Sequence, residues 1–307
     1  MKYILLLLLT VSFTFGFEYN LKPQKVAEDV YCFFGKLENI NKQNAGNMVN
    51  TCFVQTKDSF VVVDSGPTFS YAAQAYEQMQ KIATLPIKYV ILTHDHDDHW
   101  LGNSFYKSKG ALLIGPRTYE QNVVVGMKTR MEQALGKTLY GNTKIVSLDT
   151  IVDNNLTLKV SDKTFEIKQV VTKAHTEGDL LVYLPHSNGG VVFAGDLVFN
   201  DRVTSIRDGS LIGSLKVLDE IDALKPKVIL GGHGYATDGN ATKSLRAYLT
   251  QMKKEVQKAL DDDVSIEEVT KKVLMPEYKK MKLYDVLQSR NVFVSYQELE
   301  MLDEDEE

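Results

Sequence analysis

The segment Thr93-His94-Asp95-His96-Asp97-Asp98-His99 packs four potential metal ligands, His94, His96, Asp98 and His99, into six consecutive residues. In an extended segment alternate side chains share a face, so His94 and His96 can point at one ion. If the chain then turns into a helix, Asp98 and His99 swing back towards a second ion beside the first. Imidazole and carboxylate in that spacing suit zinc and other borderline divalent metals. The competing reading, a solvated loop of charged residues, is weakened by what precedes the cluster. Lys88-Tyr89-Val90-Ile91-Leu92 is an apolar run of strand length, and a strand that delivers a polar cluster is the context a metal site needs.

The chain has six histidines, and three further candidate ligands lie downstream. His175 sits in Thr172-Lys173-Ala174-His175-Thr176-Glu177-Gly178-Asp179, a polar turn between two apolar strands. Asp196 follows the apolar run Val191-Val192-Phe193-Ala194, and His233 lies in Gly231-Gly232-His233-Gly234, just past another buried strand. Each is expected on a loop after a strand, where a rigid sheet holds loop residues in fixed positions. Singly, each could be an ordinary surface or core residue. Together with the first cluster they fill out two metal positions. His186, in Pro185-His186-Ser187-Asn188-Gly189-Gly190, reads as part of a hairpin turn and is left out.

These residues need a scaffold. Strand-like segments are expected at 29–35, 48–55, 59–64 and 88–92, with a helix over 71–82. A second helix is expected over 117–135, beginning after Pro116 as helices often do. Strands return at 156–160, 164–171, 180–184, 191–194 and 228–230, with a helix over 214–224. Two similar halves of strands and helices imply a sheet-on-sheet core with helices outside. Beyond Asn240 the chain turns helical. Leu245, Leu249, Met252, Val256 and Leu260 make one apolar stripe, read as core packing. Ser265 with Glu268 has the spacing of a capping box. The ending Asp303-Glu304-Asp305-Glu306-Glu307 is expected to be a solvated, irregular tail. No internal repeat or Pro-rich linker divides the chain.

The 307 residues, 44% hydrophobic and 24% charged, are ordinary for a globular protein. The first sixteen differ. Lys2 precedes an apolar run from Tyr3 to Val11, and Thr14 and Gly16 offer small residues where a signal peptidase reads. The run is short for a bilayer span, so a cleaved signal peptide is expected, with export to the periplasm and no membrane anchor afterwards. Cleavage removes one lysine from a chain of net charge −5. An acidic exported protein lacks the basic footprint of nucleic-acid binding, which leaves a small-molecule substrate as the expected partner. Cys32 and Cys52 would meet an oxidising compartment. They lie on neighbouring strand-like segments, as either a cross-strand disulfide or two buried thiols, and neither lies near the histidine clusters.

The order HxHxDH, then His, Asp and His, resembles the metallo-β-lactamase fold superfamily, over about residues 30–237. The resemblance implies an α+β fold, an αββα sandwich with its metal site at one edge. It divides the chain into a signal peptide (1–16), a metallo-β-lactamase domain (17–239) and a helical C-terminal extension with an acidic tail (240–307). Carried over residue by residue, His94, His96 and His175 would hold the first metal. Asp98, His99 and His233 would hold the second, and Asp196 would bridge both. Asp64, in Val63-Asp64-Ser65-Gly66, matches an early aspartate that orients the histidine loop from behind. The paired glycine usual after HxHxDH is absent, since Trp100-Leu101-Gly102-Asn103 stands there. With Gly195-Asp196-Leu197-Val198-Phe199-Asn200-Asp201-Arg202, Arg207-Asp208-Gly209-Ser210 and the terminal Arg290-Asn291-Val292 and Glu298-Leu299-Glu300, the chain is similar to one exported branch. That branch is the zinc metallohydrolases associated with sulfur-oxidation and quinoprotein systems.

Two Zn2+ ions at such a site would share a water, lower its pKa towards neutral and present hydroxide to an ester, thioester or related bond. Asp98 is both a ligand and a candidate for steering the nucleophile's proton. Arg202 and Arg207 are candidates for gripping an anionic substrate group, against the alternative of surface ion pairs with Asp201 and Asp208. Three other readings compete with a dinuclear hydrolase whose bridging aspartate resembles that of glyoxalase II. A β-lactamase fits export, but those enzymes generally lack the bridging aspartate. An Fe2+-dependent persulfide dioxygenase of the same fold would use His94, His175 and Asp196 alone. A metal-stabilised binding protein fits least, since structural zinc sites are usually closed.

Overall fold

Alternation along the strands sorts apolar side chains to two faces, and both faces of most strands are buried. The computed structural model describes residues 16–186 and 189–306, so all but the last residue of the expected leader lies outside the described residues. Seven strands form the first sheet in chain order: β1 (Gln24–Ala27), β2 (Val30–Phe33), β3 (Thr51–Gln55), β4 (Phe60–Val63), β5 (Ile87–Ile91), β6 (Leu112–Pro116) and β7 (Thr150–Val152). Pairing is antiparallel from β1 to β4 and parallel from β4 to β7. The second sheet holds β8 (Asn155–Val160), β9 (Lys163–Gln169), β10 (Leu180–Leu184), β11 (Val191–Phe199) and β12 (Val228–His233), in the order β12-β11-β10-β9-β8. Only β11 and β12 run parallel in it.

Val30, Cys32, Cys52, Val54, Val61 and Val63 point between the sheets and meet Leu180, Val182, Leu184, Val191 and Phe193 there. Their neighbours Phe33, Phe53, Phe60 and Val62 point outward onto helix α1 (Phe69–Ile82), where Tyr71, Ala72, Ala75 and Met79 receive them. A period of two with both faces covered explains why these strands read as continuous apolar runs. Short helices α2 (Asp97–Trp100), α3 (Asn103–Ser108), α4 (Arg117–Asn122) and α5 (Arg130–Tyr140) complete the chain up to β7. Beyond the second sheet lie α6 (Leu211–Ala223), α7 (Lys243–Asp261), α8 (Ile266–Lys272) and α9 (Tyr284–Glu306). This is the αββα sandwich, with C-terminal helices added. Those helices have no core of their own: Leu245, Leu249, Met252 and Val256 of α7 and Val292 of α9 share one buried cluster with Val192, Val198, Val217 and Ile221.

Cys32 and Cys52 are directly opposite on β2 and β3 and form a disulfide, which settles the alternative left open by sequence. Four local expectations need correction. The helix expected over 117–135 is two helices, because Val123-Val124-Val125-Gly126 joins three β-branched residues to a glycine, all poor helix formers. The strand expected to stop at Ala194 continues to Phe199, so Asp196 lies within β11. Ser265 occupies the N-cap of α8, but its side chain makes no capping bond, so the capping box is not formed. Helix α9 runs through Glu306 where an irregular tail was expected; glutamate is among the better helix formers.

Candidate metal centre

The carboxyl ends of β4, β5, β11 and β12 lie at one edge of the sandwich, and every expected ligand is brought there. His94 lies in the bend that follows β5, over residues 93–95, and His96, itself in extended backbone, is the N-cap of α2. The turn into α2 reverses the chain, with His99 N–H donating to His96 O at 3.1 Å. Trp100, buried against Tyr119, locks the turn by donating its indole N–H to Asp95 O at 2.8 Å. His175 stands in the turn before β10, and Asp179 holds that turn by accepting the His175 and Thr176 N–H groups at 2.8 Å each. Asp196 sits inside β11 beside Gly195, whose φ of +49° accompanies a break in the register with β12. His233 is the last residue of β12.

Two groups result. His94, His96, His175 and Asp196 form the first; Asp98, His99 and His233 form the second; within each, the ligand atoms lie within 4.8 Å of one another. In the first, His96 Nδ1 is 2.9 Å from His175 Nε2, which is 3.2 Å from Asp196 Oδ2. In the second, His99 Nε2 and His233 Nε2 lie 3.2 and 3.4 Å from Asp196 Oδ1. Asp98 Oδ2 is 3.6 Å from His233 Nε2. A tetrahedral ion with metal–nitrogen bonds of about 2.0–2.1 Å spaces its ligand atoms about 3.3 Å apart. Asp196 thus turns Oδ2 to the first group and Oδ1 to the second.

The opposite nitrogen of every imidazole is occupied. His94 Nδ1 meets Thr93 Oγ1 at 3.0 Å, His99 Nδ1 meets Asp64 Oδ2 at 2.8 Å, and His96 Nε2 meets Asp208 Oδ2 at 3.1 Å. His175 Nδ1 donates to Ser205 O at 3.1 Å and His233 Nδ1 to Met48 O at 2.6 Å. With one nitrogen engaged outward, the other is left bare and directed inward, as metal ligation requires. His94 Nε2, His99 Nε2 and Asp196 Oδ1 are buried and make no hydrogen bond. Buried polar atoms are seldom left so, and a cation between them accounts for all three. The donor set fits two divalent ions.

Charge follows the same layout. Burial, then His99, pushes His94 well below the usual histidine range. Burial opposes ionisation of Asp196, but His233, His99 and His175 outweigh it and hold the carboxyl well below the usual carboxylate range. Burial opposes Asp98 too, and Arg130 above all keeps it ionised. Arg130 Nη2 donates to Asp98 Oδ1 at 2.6 Å and to Asp97 Oδ1 at 2.8 Å, leaving Asp98 Oδ2 free to face the site. Gly231-Gly232 supplies the clearance: a Cβ on Gly232 would lie 2.0 Å from Asp196 Oδ1.

The model of the metallo-beta-lactamase superfamily matches residues 45–233. The chain belongs to that superfamily. A curated relative, the hydroxyacylglutathione hydrolase of Brucella anthropi, is 28% identical over 176 residues, 56% of this chain. This chain covers 57% of that relative's length. A metallo-beta-lactamase from Pontibacter korlensis superposes with a TM-score of 0.59 at 18% identity, covering 75% of this chain and 99% of that one. The inverting sec-alkylsulfatase Pisa1 from Pseudomonas sp. gives 0.62 at 16% identity, over 90% of this chain and 50% of that one. At such identities the structural likenesses establish the fold alone.

Behind the site, Asp64 accepts from Thr93 N–H and Thr93 Oγ1, both at 2.9 Å, as well as meeting His99. The two arginines separate. Arg207 pairs with Asp208, its Nε donating at 2.8 Å, and lines a cavity of about 430 Å³ together with His96, Trp100, Val123, Met127 and Arg130. Arg202 makes no surface pair with Asp201. It is buried over the Phe199 ring, 5.3 Å from its centroid, with Nη1 unpartnered. Phe199 in turn stacks on His233, ring centroids 5.2 Å apart. His186 stands apart, 3.8 Å from Glu28. Sequence reasoning missed Asp179, Ser205, Asp208 and Arg130. Asp179 and Asp208 lay in motifs already singled out; nothing in the local sequence pointed to Arg130, which arrives from a distant helix.

Proposed function

We propose that the chain is an exported metallohydrolase holding two zinc ions and hydrolysing an ester, thioester or related bond of a small molecule. The observation that carries this reading is Asp196, whose two oxygens address two complete and separate ligand groups. The partial likeness to a hydroxyacylglutathione hydrolase supports the ester or thioester class. The Cys32–Cys52 disulfide supports export to an oxidising compartment such as the periplasm.

His94, His96, His175 and Asp196 would hold one ion, and Asp98, His99, His233 and Asp196 the other. Such ions supply a water activated near neutral pH and a Lewis acid for the scissile carbonyl oxygen. The protein does the rest. The cavity beside His96 admits substrate, with Trp100, Val123 and Met127 facing its apolar parts and Arg130 and Arg207 its polar ones. Arg130 fixes Asp98 Oδ1, so only Asp98 Oδ2 can take part in steering a proton at the reacting water. The buried guanidinium of Arg202 adds positive charge behind Phe199, where an anionic group would be favoured.

An iron dioxygenase would need only His94, His175 and Asp196 and would leave the second group without a role. The test is metal content of the protein expressed with its leader and purified without chelator, followed by assays on thioesters, esters and β-lactams. About two zinc per chain with thioester or ester turnover is expected. About one iron per chain, with oxygen uptake on persulfides, would overturn the reading.

A further inference from the structure

Two of the three histidines in the first group depend on one loop. Residues 200–210 connect β11 to α6, and they carry both Ser205, whose carbonyl engages His175 Nδ1, and Asp208, whose carboxylate engages His96 Nε2. Within the loop the main chain supplies little support, chiefly Gly209 N–H to Ile206 O at 3.2 Å. The loop's first residues are tied to 233–236 and Ser210 N–H donates to Ala174 O at 2.8 Å, but the stretch around Ser205 is held by the C-terminal helix. Asn291 of α9 is fully buried, and its side chain brackets Ser205. Its Nδ2 donates to Thr204 O at 2.8 Å, and its Oδ1 accepts from Ile206 N–H at 3.3 Å.

Two turns further along α9, the Glu298 carboxylate closes the far end of the loop. It accepts from the Ser210 hydroxyl, from Leu211 N–H at 2.6 Å and from Ile212 N–H at 3.2 Å. The near end is tied as well, by Val203 N–H donating to Lys282 O at 2.9 Å. Tyr248 of α7 fixes Asn291 itself, its hydroxyl 3.1 Å from Nδ2.

We propose that Asn291 and Glu298 are positioning residues for the metal centre: through the 200–210 loop they set the orientation of His175 and His96, and with it the affinity of the first metal position. The proposal rests on the reading that these histidines hold a metal. It gives the C-terminal helices, which lie beyond the matched residues 45–233, a part in the site. It also makes the two positions unequal. His99 and His233 take their outer ring bonds from Asp64 and Met48. The loop meets this group only through Asn200 N–H, which donates to His233 O at 3.2 Å, outside the stretch that Asn291 and Glu298 hold, so the second position should not feel α9.

The test uses the full chain with zinc removed and returned in competition with a chromophoric chelator. Cobalt is loaded in parallel, so that the visible spectrum assigns each step to the three-histidine or the two-histidine group. Outer partners of ligating histidines typically contribute 10–100-fold to metal affinity. Asn291→Ala and Glu298→Gln should each weaken the first step by about that factor, leave the second unchanged and alter the cobalt spectrum of the first. Asp208→Asn, at a half-exposed side chain, tests the His96 arm should either helix variant fail to fold, and the same one-step loss is expected. Variants that melt earlier but bind both metals like wild type would show α9 to be packing only and overturn the proposal. So would equal weakening of both steps. A wild-type chain that binds neither metal would overturn the metal-centre reading, and this inference with it.

Discussion

Replacing Asp64 by asparagine should loosen both metals at once, although Asp64 touches neither ligand set directly from the front. An ionised carboxylate only accepts hydrogen bonds. Thr93 Oγ1, 2.9 Å from Asp64 Oδ2, must therefore donate to it, and has only its lone pairs left for His94 Nδ1 at 3.0 Å. His94 then carries its proton on Nδ1, which leaves Nε2 bare. By the same rule His99 donates Nδ1–H to Asp64 Oδ2 at 2.8 Å, and its Nε2 is bare. One carboxylate fixes two tautomers, one in each group. Asp64→Asn keeps the shape and one acceptor oxygen, and Thr93 N–H can still be satisfied. An amide N–H2 turned towards His99 or Thr93 would face a donor, and relief requires moving a ring proton onto the ligating nitrogen. Each lost charge-assisted bond amounts to about 1.5–3 kcal/mol, which corresponds to roughly 10–100-fold in affinity per position, the range usual for outer-shell partners. Zinc competition with a chelator on the folded variant measures both steps. Two steps of wild-type affinity in a folded Asp64→Asn protein would refute the tautomer argument. Loss confined to one step would show that the Thr93 relay does not operate.

Further expectations follow from the same geometry. Gly232→Ala places a Cβ 2.0 Å from Asp196 Oδ1 and 3.0 Å from His99 Cε1; it should lower zinc content below the wild-type value and cost about 1–3 kcal/mol by overpacking, read by elemental analysis and urea unfolding. Reducing the Cys32–Cys52 disulfide, whose cysteines are 20 residues apart, should cost about 3 kcal/mol in the chain-entropy account, read as a shift in the urea midpoint between the oxidised protein and the Cys32→Ser, Cys52→Ser double variant. Alkaline pH should weaken the fold. Burial pushes the Tyr19 hydroxyl up to about 12 from its ordinary value of 10.0. The unfolded chain then gives up that proton first, so the contribution is whole below pH 10 and lost as pH rises towards 12, at about 1.4 kcal/mol per unit. Tyr19→Phe should flatten the fall in stability over that window, and an unchanged slope would count against the assignment.

Much of this was legible in sequence because the chemistry is concentrated. His94, His96, Asp98 and His99 sit on one strand-to-helix turn, so local geometry alone separates them into two directions. Core strands such as β10 read correctly because both faces are buried and the apolar run stands between polar turns. What failed had physical reasons. The helix over 117–135 kept its apolar spacing, but Val123-Val124-Val125-Gly126 disfavours helix, and the chain opens there into the loop beside the cavity. Asp196 was placed on a loop because a charged residue inside a buried strand runs against the usual pattern; it is tolerated there only because five imidazoles surround it. The outer partners Ser205, Met48 and Arg130 were invisible for a different reason. Two act through backbone carbonyls, which any residue type can supply, and the third crosses from a helix more than thirty residues away.

The placement of Asp196 on a strand also explains how a single carboxylate can serve two ions. A carboxylate on a mobile loop turns about its own bond and exchanges its oxygens, which would blur the difference between the two positions. On β11 the backbone is anchored by β10 over Val191–Phe193 and by β12 on either side of Asp196, at Gly195 and Phe199, and Gly232 approaches the carboxylate so closely that a Cβ there would lie 2.0 Å from Oδ1. Each sheet then gives part of each group. The first takes His94 and His96 from the turn after β5 and His175 and Asp196 from the second sheet; the second takes Asp98 and His99 from that same turn and His233 from β12. Ions seated in these groups join the two sheets at their open edge, where the facing apolar layers end. Binding energy at such a site becomes stability of the sandwich as a whole. That is the reason to expect the outer partners, from Asp64 to Asn291, to be read as well in the melting of the loaded protein as in its metal affinity.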